Sequence, residues 1–140
     1  LNFTDIMLDN IVIAYSLTPV NKKINVTQTE DFTTRGFNYL LKPNGKLEKY
    51  TKGHSKYYYQ NIPQLHRLPG KTLAILIAGG IVDVDRVEDT TTWQQWDTLE
   101  IIIAYNKLMN PELNIYGLDE LNDEYMLPIS IPRYLETICV

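Results

Sequence analysis

The chain has 140 residues, of which 44% are hydrophobic and 21% are charged. This composition excludes an intrinsically disordered protein and suits one globular domain with its own core. The net charge of -4 at pH 7 gives no global reason to expect binding to nucleic acid or to an anionic membrane. The single cysteine, Cys139, excludes an internal disulfide, and the sequence shows neither a run of roughly 20 apolar residues for a membrane helix nor a signal-peptide pattern.

The first predicted elements are a buried strand and a short helix. Ile11–Tyr15 is an apolar run rich in β-branched residues, which is typical of a buried strand. Thr18-Pro19 is expected to end this strand. Thr27 and Glu30 have the spacing of a capping box, which predicts that a short helix starts there.

A β-hairpin and a long loop follow. Phe37–Lys42 and Lys46–Tyr50 are strand-like runs that flank Pro43-Asn44-Gly45. Asn-Gly between two such runs indicates a hairpin, because both residues tolerate positive φ. Thr51–Gly70 contains Gly, Pro, Ser and a run of tyrosines, and it predicts a long surface excursion.

The second half of the chain predicts a buried strand and a long helix. Leu73–Ala78 is an apolar run closed by Gly79-Gly80, as expected of a buried strand. Thr92 as N-cap places Gln95 at the third helical position, which is a capping box, and Asn110-Pro111 should end the helix. Apolar residues recur at near-helical spacing and predict its buried face: Trp93, Trp96, Leu99, Ile103 and Leu108.

The last predicted elements are a short strand at Leu113–Tyr116 and a helix from Ile131 through Ile138, with Pro132 at an early helical position. Strands and helices alternate along the whole sequence. The predicted fold class is therefore α/β, a mixed central β-sheet flanked by helices, in a single domain over residues 1–140.

Several motifs, taken in order, resemble the type 2 N-acetylmuramoyl-L-alanine amidases. This family includes phage amidase-type lysozymes and animal peptidoglycan recognition proteins, some of which have lost catalysis and only bind cell-wall fragments. The resemblance covers residues 9 to about 136 and implies an amidase-like fold. The segments that carry it are Asp9–Pro19, Gly36–Glu48, Gly53-His54-Ser55 with the later Asn61, Leu73–Gly80, Thr92 with Gln95, and Ile115–Leu121.

The resemblance also implies where a catalytic zinc would be held. In the family, a His at the end of the first strand binds zinc, and this position is Ala14. A second His follows the Gly of the late strand, and this position is Leu118. The third ligand, a His, Cys or Asp, falls at Leu127 or Met126. Because none of these side chains can hold zinc, we expect no zinc cofactor and no metal site at these positions.

Two further catalytic positions of the family also differ. The Tyr that follows the hairpin Gly and helps to stabilise the transition state is Phe37 here, and the assisting residue near the last ligand falls around Tyr125. Apolar replacement of a whole polar site is close to neutral for stability, whereas leftover buried imidazoles would be costly. The prediction is a pseudoenzyme whose former zinc site, at Ala14, Phe37, Leu118, Tyr125 and Leu127, is dry and packed.

Such a pseudoenzyme would act as a structural or protein-binding module. The resemblance to phage lysozymes implies a phage or prophage product, in a virion or in the bacterial cytoplasm. A protein partner or larger assembly is expected, with no nucleic acid and no membrane. The sequence begins at Leu1 rather than Met, which fits a processed chain or a piece of a longer protein.

Two alternatives stay open. An active zinc amidase would need atypical ligands, and only His54, His66 and Cys139 together with carboxylates could supply them, although no short ligand spacing joins these residues. A peptidoglycan- or muropeptide-binding module would have kept the groove without the metal.

The binding-module alternative predicts a cleft lined by His54, Tyr57, Tyr58 and Asn61. Three of these residues belong to a basic and aromatic stretch from Lys46 to Tyr59. This stretch is either a ligand-binding face or a solvated hairpin and loop, and the second interpretation is favoured.

Two more features have a simple and a functional interpretation. Trp93 and Trp96 are either a binding surface or part of the core, and their helical spacing favours the core. The acidic residues from Asp83 to Asp89 lack the pattern of a calcium loop and are expected to be a solvated loop.

Overall fold

The computed structural model of the chain describes residues 7–19, 37–49, 67–82 and 86–138. The predicted helix start at Thr27 and most of the predicted excursion Thr51–Gly70 lie outside these ranges. Among the described residues, no helix is long and apolar enough to cross a bilayer. The elements are β1 (Asn10–Tyr15), β2 (Thr18–Pro19), β3 (Tyr39–Leu41), β4 (Leu47–Lys49), β5 (Thr72–Ile77), β6 (Gly80–Val82), β7 (Arg86–Val87), α1 (Trp93–Met109), β8 (Asn114–Gly117), α2 (Leu118–Leu121) and α3 (Ile131–Thr137).

The main sheet has five strands in the order β4-β3-β5-β1-β8. Strand β1 runs parallel to both of its neighbours, β5 and β8, and β3 runs parallel to β5, whereas β4 pairs antiparallel with β3. The sheet is therefore mixed, and the predicted α/β class is confirmed. A second, three-stranded sheet has the order β2-β6-β7. Thr18-Pro19 ends β1 as expected but also forms β2, which the sequence did not predict.

The side chains of β1 alternate between the two faces of the main sheet. Ile11, Ile13 and Tyr15 lie on the face covered by α1 and α3, here called the helical face. Val12 and Ala14 lie on the opposite face, here called the α2 face because α2 packs there. Both faces are covered, and this explains why β1 and β5 are nearly continuous apolar runs.

The predicted hairpin is present, and its turn presses against α1. Gly45 N–H donates to the Lys42 carbonyl at 2.8 Å, and Gly45 has φ +85°. Asn44 does not need positive φ; its side-chain oxygen accepts from Lys46 N–H at 3.0 Å. Thr98 Oγ1 donates to the Gly45 carbonyl at 2.6 Å, so the turn is held directly on the helix.

Replacing Gly45 with Ala should lower the free energy of unfolding by about 2 kcal/mol, because an L-residue is strained at positive φ. The new Cβ would also lie 2.9 Å from the Gln94 carbonyl oxygen. Urea unfolding followed by circular dichroism measures the change. Asn44→Ala is the matched control: it removes one exposed turn hydrogen bond and should cost about 0.5–1 kcal/mol. Equal losses in the two variants would contradict the assigned role of positive φ.

Helix α1 begins with the predicted capping box. Gln95 N–H donates to Thr92 Oγ1 at 3.1 Å, and Thr92 N–H donates to the Gln95 side-chain oxygen at 2.9 Å. Asn110 ends the helix as predicted. The boundaries of this helix were therefore readable from local chemistry alone.

The predicted buried face of α1 is wrong at both of its ends. Trp93 is 69% exposed and Leu108 is 81% exposed, whereas Leu99 and Ile103 are buried. At about 100° per residue, Leu108 projects on the side of the helix opposite to Leu99, whereas Trp93 lies about 120° from Leu99 and about 80° from Ile103. Trp96 lies about 20° from Ile103 around the helix, and it packs, partly buried, against the core. The interpretation of both tryptophans as core residues thus fails for Trp93.

Candidate functional site

The register of the main sheet brings Ala14 and Leu118 together. Ile13 pairs with Gly117 in the parallel β1–β8 ladder, so the residues that follow them, Ala14 within β1 and Leu118 at the start of α2, lie at the same end of this ladder. This end of the sheet holds the carboxyl ends of parallel strands, where α/β proteins commonly place their sites. Ala14 is only 4% exposed and Leu118 only 1%. Two positions that are 104 residues apart thus share one buried corner of the α2 face.

The same corner collects the five positions to which the amidase resemblance drew attention, Ala14, Phe37, Leu118, Tyr125 and Leu127. We call this group the apolar cluster. Its buried members are Val12, Ala14, Phe37, Leu40, Ala74, Leu76, Ala78 and Leu118, and Leu68, Tyr116, Leu121, Tyr125 and Leu127 are partly buried against them. The cluster is built from β1, β3, β5 and α2 and from the segment that follows α2.

The chemistry of the cluster does not fit zinc. Ala14, Phe37, Leu118 and Leu127 offer no nitrogen, oxygen or sulfur donor, and zinc sites need three or four such ligands. Of the two residues considered for the third ligand position, Leu127 packs into the cluster, whereas Met126 is 62% exposed.

Tyr125 supplies the one polar side chain among the five positions to which the amidase resemblance drew attention. Burial, and after it the charge of Glu124, raises the pKa of the Tyr125 hydroxyl above its ordinary value. The phenol therefore stays neutral at physiological pH and can serve as a hydrogen-bond donor. A lone neutral phenol can orient a ligand, but it cannot act as a metal ligand set or as a base at neutral pH.

Asp119 is a polar residue near the cluster to which the sequence analysis gave no role. Its Oδ1 atom is buried without a hydrogen-bond partner among the described residues. The neighbouring Glu120 carboxylate instead accepts from Gly117 N–H at 2.6 Å and caps α2. Across the described ranges, no three His, Cys, Asp or Glu side chains lie close enough to hold a metal ion. The only sequence feature that could have drawn attention to Asp119 is its place two residues after Gly117, at the end of a predicted strand.

A second polar group lies at the carboxyl ends of β1 and β5 and has a structural role. Ser16 Oγ accepts from Gly79 N–H at 3.0 Å and pairs with Thr18 Oγ1 at 2.7 Å. Tyr15 and Thr91 join their hydroxyls at 2.6 Å, and burial raises the pKa of Tyr15. These bonds join the ends of neighbouring segments. The hydroxyl of Ser16 bonds to Thr18 and to the backbone of Gly79, and neither of these residues is a base that could make it a nucleophile.

The predicted ligand cleft lies outside the described residues and stays a prediction. So does the alternative metal site, for the same reason. The residues concerned are His54, Tyr57, Tyr58 and Asn61 for the cleft, and His54, His66 and Cys139 for the metal. The expected absence of zinc from the whole chain therefore also stays a prediction.

Comparisons with known proteins identify the fold. The sequence matches no family model and no curated protein. Among solved structures, the chain is similar to the Ph2119 endolysin from Thermus scotoductus MAT2119 bacteriophage Ph2119, with a TM-score of 0.60 and 16% sequence identity. The match covers 92% of this chain and 83% of that chain. The protein thus has an α/β fold similar to that of a phage endolysin.

Proposed function

We propose that the chain is a catalytically inactive, amidase-like domain of phage or prophage origin that serves as a structural or protein-binding module. The observation that carries this proposal is the apolar cluster. Residues from five positions, spread from Ala14 to Leu127, meet in one corner of the α2 face. At four of those five positions the side chain is a hydrocarbon.

The physical chemistry of the corner supports loss of catalysis rather than a change of metal. A zinc hydrolase needs an open coordination position that holds a water, whose pKa the metal lowers. Hydrocarbon side chains give such a water no hydrogen-bond partners, and apolar cavities stay dry. Replacing all polar members of a buried site together avoids leaving any one of them unsatisfied. The endolysin-like fold would then be kept for binding or assembly.

A second candidate is a module that binds peptidoglycan or muropeptides without cleaving them. The similarity of the fold to a phage endolysin favours this candidate. An amidase that remains active with atypical ligands is the third candidate. It requires bound zinc, so the metal content of the purified protein tests it.

Elemental analysis of the protein, incubated with zinc and then desalted, tests the main proposal. We expect well below one zinc per chain and no clearing of a suspension of purified cell walls, with an active endolysin as the positive control. One zinc per chain together with clearing of the walls would overturn the proposal. Co-sedimentation with insoluble peptidoglycan, without clearing, would favour the second candidate.

A further inference from the structure

A groove lies on the helical face of the sheet, away from the apolar cluster. It runs between α1 and α3 and has a volume of about 460 Å³, within the range of roughly 300–1,000 Å³ typical of ligand sites. Its lining residues are Trp96, Ile129, Ser130, Arg133, Tyr134, Glu136 and Thr137. We call it the α3 groove, because all of these residues except Trp96 lie in α3 or directly before it.

The wall of the α3 groove is aromatic, and a further indole protrudes beside it. The rings of Trp96 and Tyr134 are in contact, with centroids 4.6 Å apart. Trp93 precedes Trp96 by about one turn of α1, and its side chain is 69% exposed. Residues three positions apart are neighbours on the surface of a helix, so Trp93 lies beside the groove. One face of the molecule therefore offers both an apolar hollow and a large apolar side chain.

The charges of the groove lining balance. Arg133 is the one cation among the lining residues and Glu136 the one anion, and both side chains are exposed. They lie three positions apart on α3, where opposite charges commonly pair. Neither of them, however, forms an ion pair with the other or with any further described residue. The groove thus presents one unpaired charge of each sign and no net charge.

We propose that the α3 groove is the contact surface between two copies of this chain, related by a two-fold axis. In such a contact the same patch of both copies meets itself. Arg133 of each copy pairs with Glu136 of the other, so that two ion pairs form. Trp93 of each copy enters the groove of the other and packs against Trp96 and Tyr134.

A second copy fits this surface better than a strongly charged partner does. A basic or an acidic segment would satisfy one of the two charges of the lining and be repelled by the other. The same surface, turned about a two-fold axis, supplies an anion for Arg133, a cation for Glu136 and an indole for the hollow. Trp, Tyr and Arg are also the residues most enriched at the energetic centres of protein interfaces.

The inference rests on the proposed role as a structural or protein-binding module and names the partner. The groove and the apolar cluster lie on opposite faces of the sheet. The zinc measurement can therefore fail while the dimer is found, and the reverse also holds.

Charge reversal in both directions tests the inference. Sedimentation equilibrium of the native chain over a wide range of concentrations should show a reversible dimer. Arg133→Glu and Glu136→Arg should each weaken dimerisation about tenfold or more, because each replaces two attractive pairs with two repulsive ones. An equimolar mixture of the two variants should dimerise again, because both pairs become attractive in the mixed dimer.

Net charge alone would give a different pattern. Glu136→Arg brings the net charge of -4 closer to zero, so general repulsion between the copies would fall and dimerisation would tighten. Glu112→Arg is the matched control, since it makes the same charge change at an exposed position outside the groove lining. It should not weaken dimerisation.

A second pair of variants tests the apolar contact. Trp93→Ala should weaken dimerisation about tenfold or more, as expected of a tryptophan at the centre of an interface. Leu108→Ala is the matched control, because Leu108 is 81% exposed and lies about 22 Å farther along α1. It should leave dimerisation unaltered.

Three results would overturn the proposal. The first is a native chain that stays monomeric at every concentration, which would leave the groove to a different partner. The second is a mixture of the two charge variants that stays monomeric although circular dichroism shows both to be folded. The third is an equal loss of dimerisation in Trp93→Ala and Leu108→Ala, which would place the contact along the outer side of α1 instead of at the groove.

Discussion

Replacing Gln95 with Ala should lower the free energy of unfolding by about 3–5 kcal/mol, a large fraction of what a domain of this size possesses. Gln95 is fully buried at the start of α1. Its Nε2 atom donates to the Leu41 carbonyl at 3.1 Å and to the Ala78 carbonyl at 3.0 Å. Its side-chain oxygen accepts from Thr92 N–H at 2.9 Å. One side chain therefore joins the helix to the ends of two strands.

The expected magnitude follows from the groups that Gln95 would leave behind. The Ala78 carbonyl and the Thr92 N–H would lose the partner that Gln95 provides, and each such loss costs about 1–3 kcal/mol. The Leu41 carbonyl would keep its hydrogen bond from Ala78 N–H at 3.0 Å. Removal of buried side-chain atoms adds a cavity term. The side chain also helps to fix the position of α1, so the variant should unfold with a broader transition if that end of the helix frays.

Urea unfolding measured by far-ultraviolet circular dichroism provides the test. Gln95→Met keeps the length of the side chain but removes its hydrogen bonds, so its loss should approach that of Gln95→Ala. Gln94→Ala, the half-buried neighbour, should change stability by about 0.5 kcal/mol or less. A methionine variant as stable as the native chain would show that packing, and not hydrogen bonding, explains the role of Gln95.

The case of Gln95 shows which features local sequence could predict. The capping box with Thr92 is a contact over three residues, and its residue types specify it. The bonds from Gln95 to Leu41 and Ala78 bridge 54 and 17 residues. They depend on where β3 and β5 end relative to α1, and no local pattern encodes this. The sequence therefore predicted the start of the helix but not its attachment to the sheet.

Helix α1 also shows why periodicity failed for some residues. Apolar side chains occur on its exposed side as well as on its buried side, with Ile101 60% exposed and Leu108 81% exposed. When apolar residues surround a helix, their spacing does not identify the buried face. The strands β2 and β7 have two residues each, too few for any alternation to be visible.

For the candidate site, the order of motifs in the sequence predicted which residues would form one group. The register of the main sheet explains how these residues come into contact. Ala14 and Leu118 become neighbours because β1 and β8 are parallel and in the register that pairs Ile13 with Gly117. Asp119 went unrecognised because its burial depends on the turn into α2. The groove beside Trp96 and Tyr134 was not predicted because it depends on the packing of α3 against α1.

Rebuilding the ligand set should give the protein a zinc-dependent stability that the native chain lacks. Ala14→His alone should lower the free energy of unfolding by about 2–4 kcal/mol, because it places a larger, polar ring in a buried apolar corner. Adding Leu118→His and Leu127→His provides three imidazoles around one point, if these residues correspond to the family's ligands. Zinc at 100 times its dissociation constant would then stabilise this triple variant by about 2.7 kcal/mol.

Thermal unfolding of each variant, in zinc and in EDTA, measures this effect. The matched control exchanges Ala14→His for Ala74→His, because Ala74 is in the same cluster but pairs with Val12, two residues before Ala14 along β1. The control triple variant should be destabilised to a similar extent but should gain little from zinc, because its imidazole is displaced along the strand. Equal zinc effects in the two triple variants would contradict the assignment of Ala14 as a ligand position. A zinc effect in the native chain would instead show that ligands remain, and the pseudoenzyme proposal would then have to be abandoned.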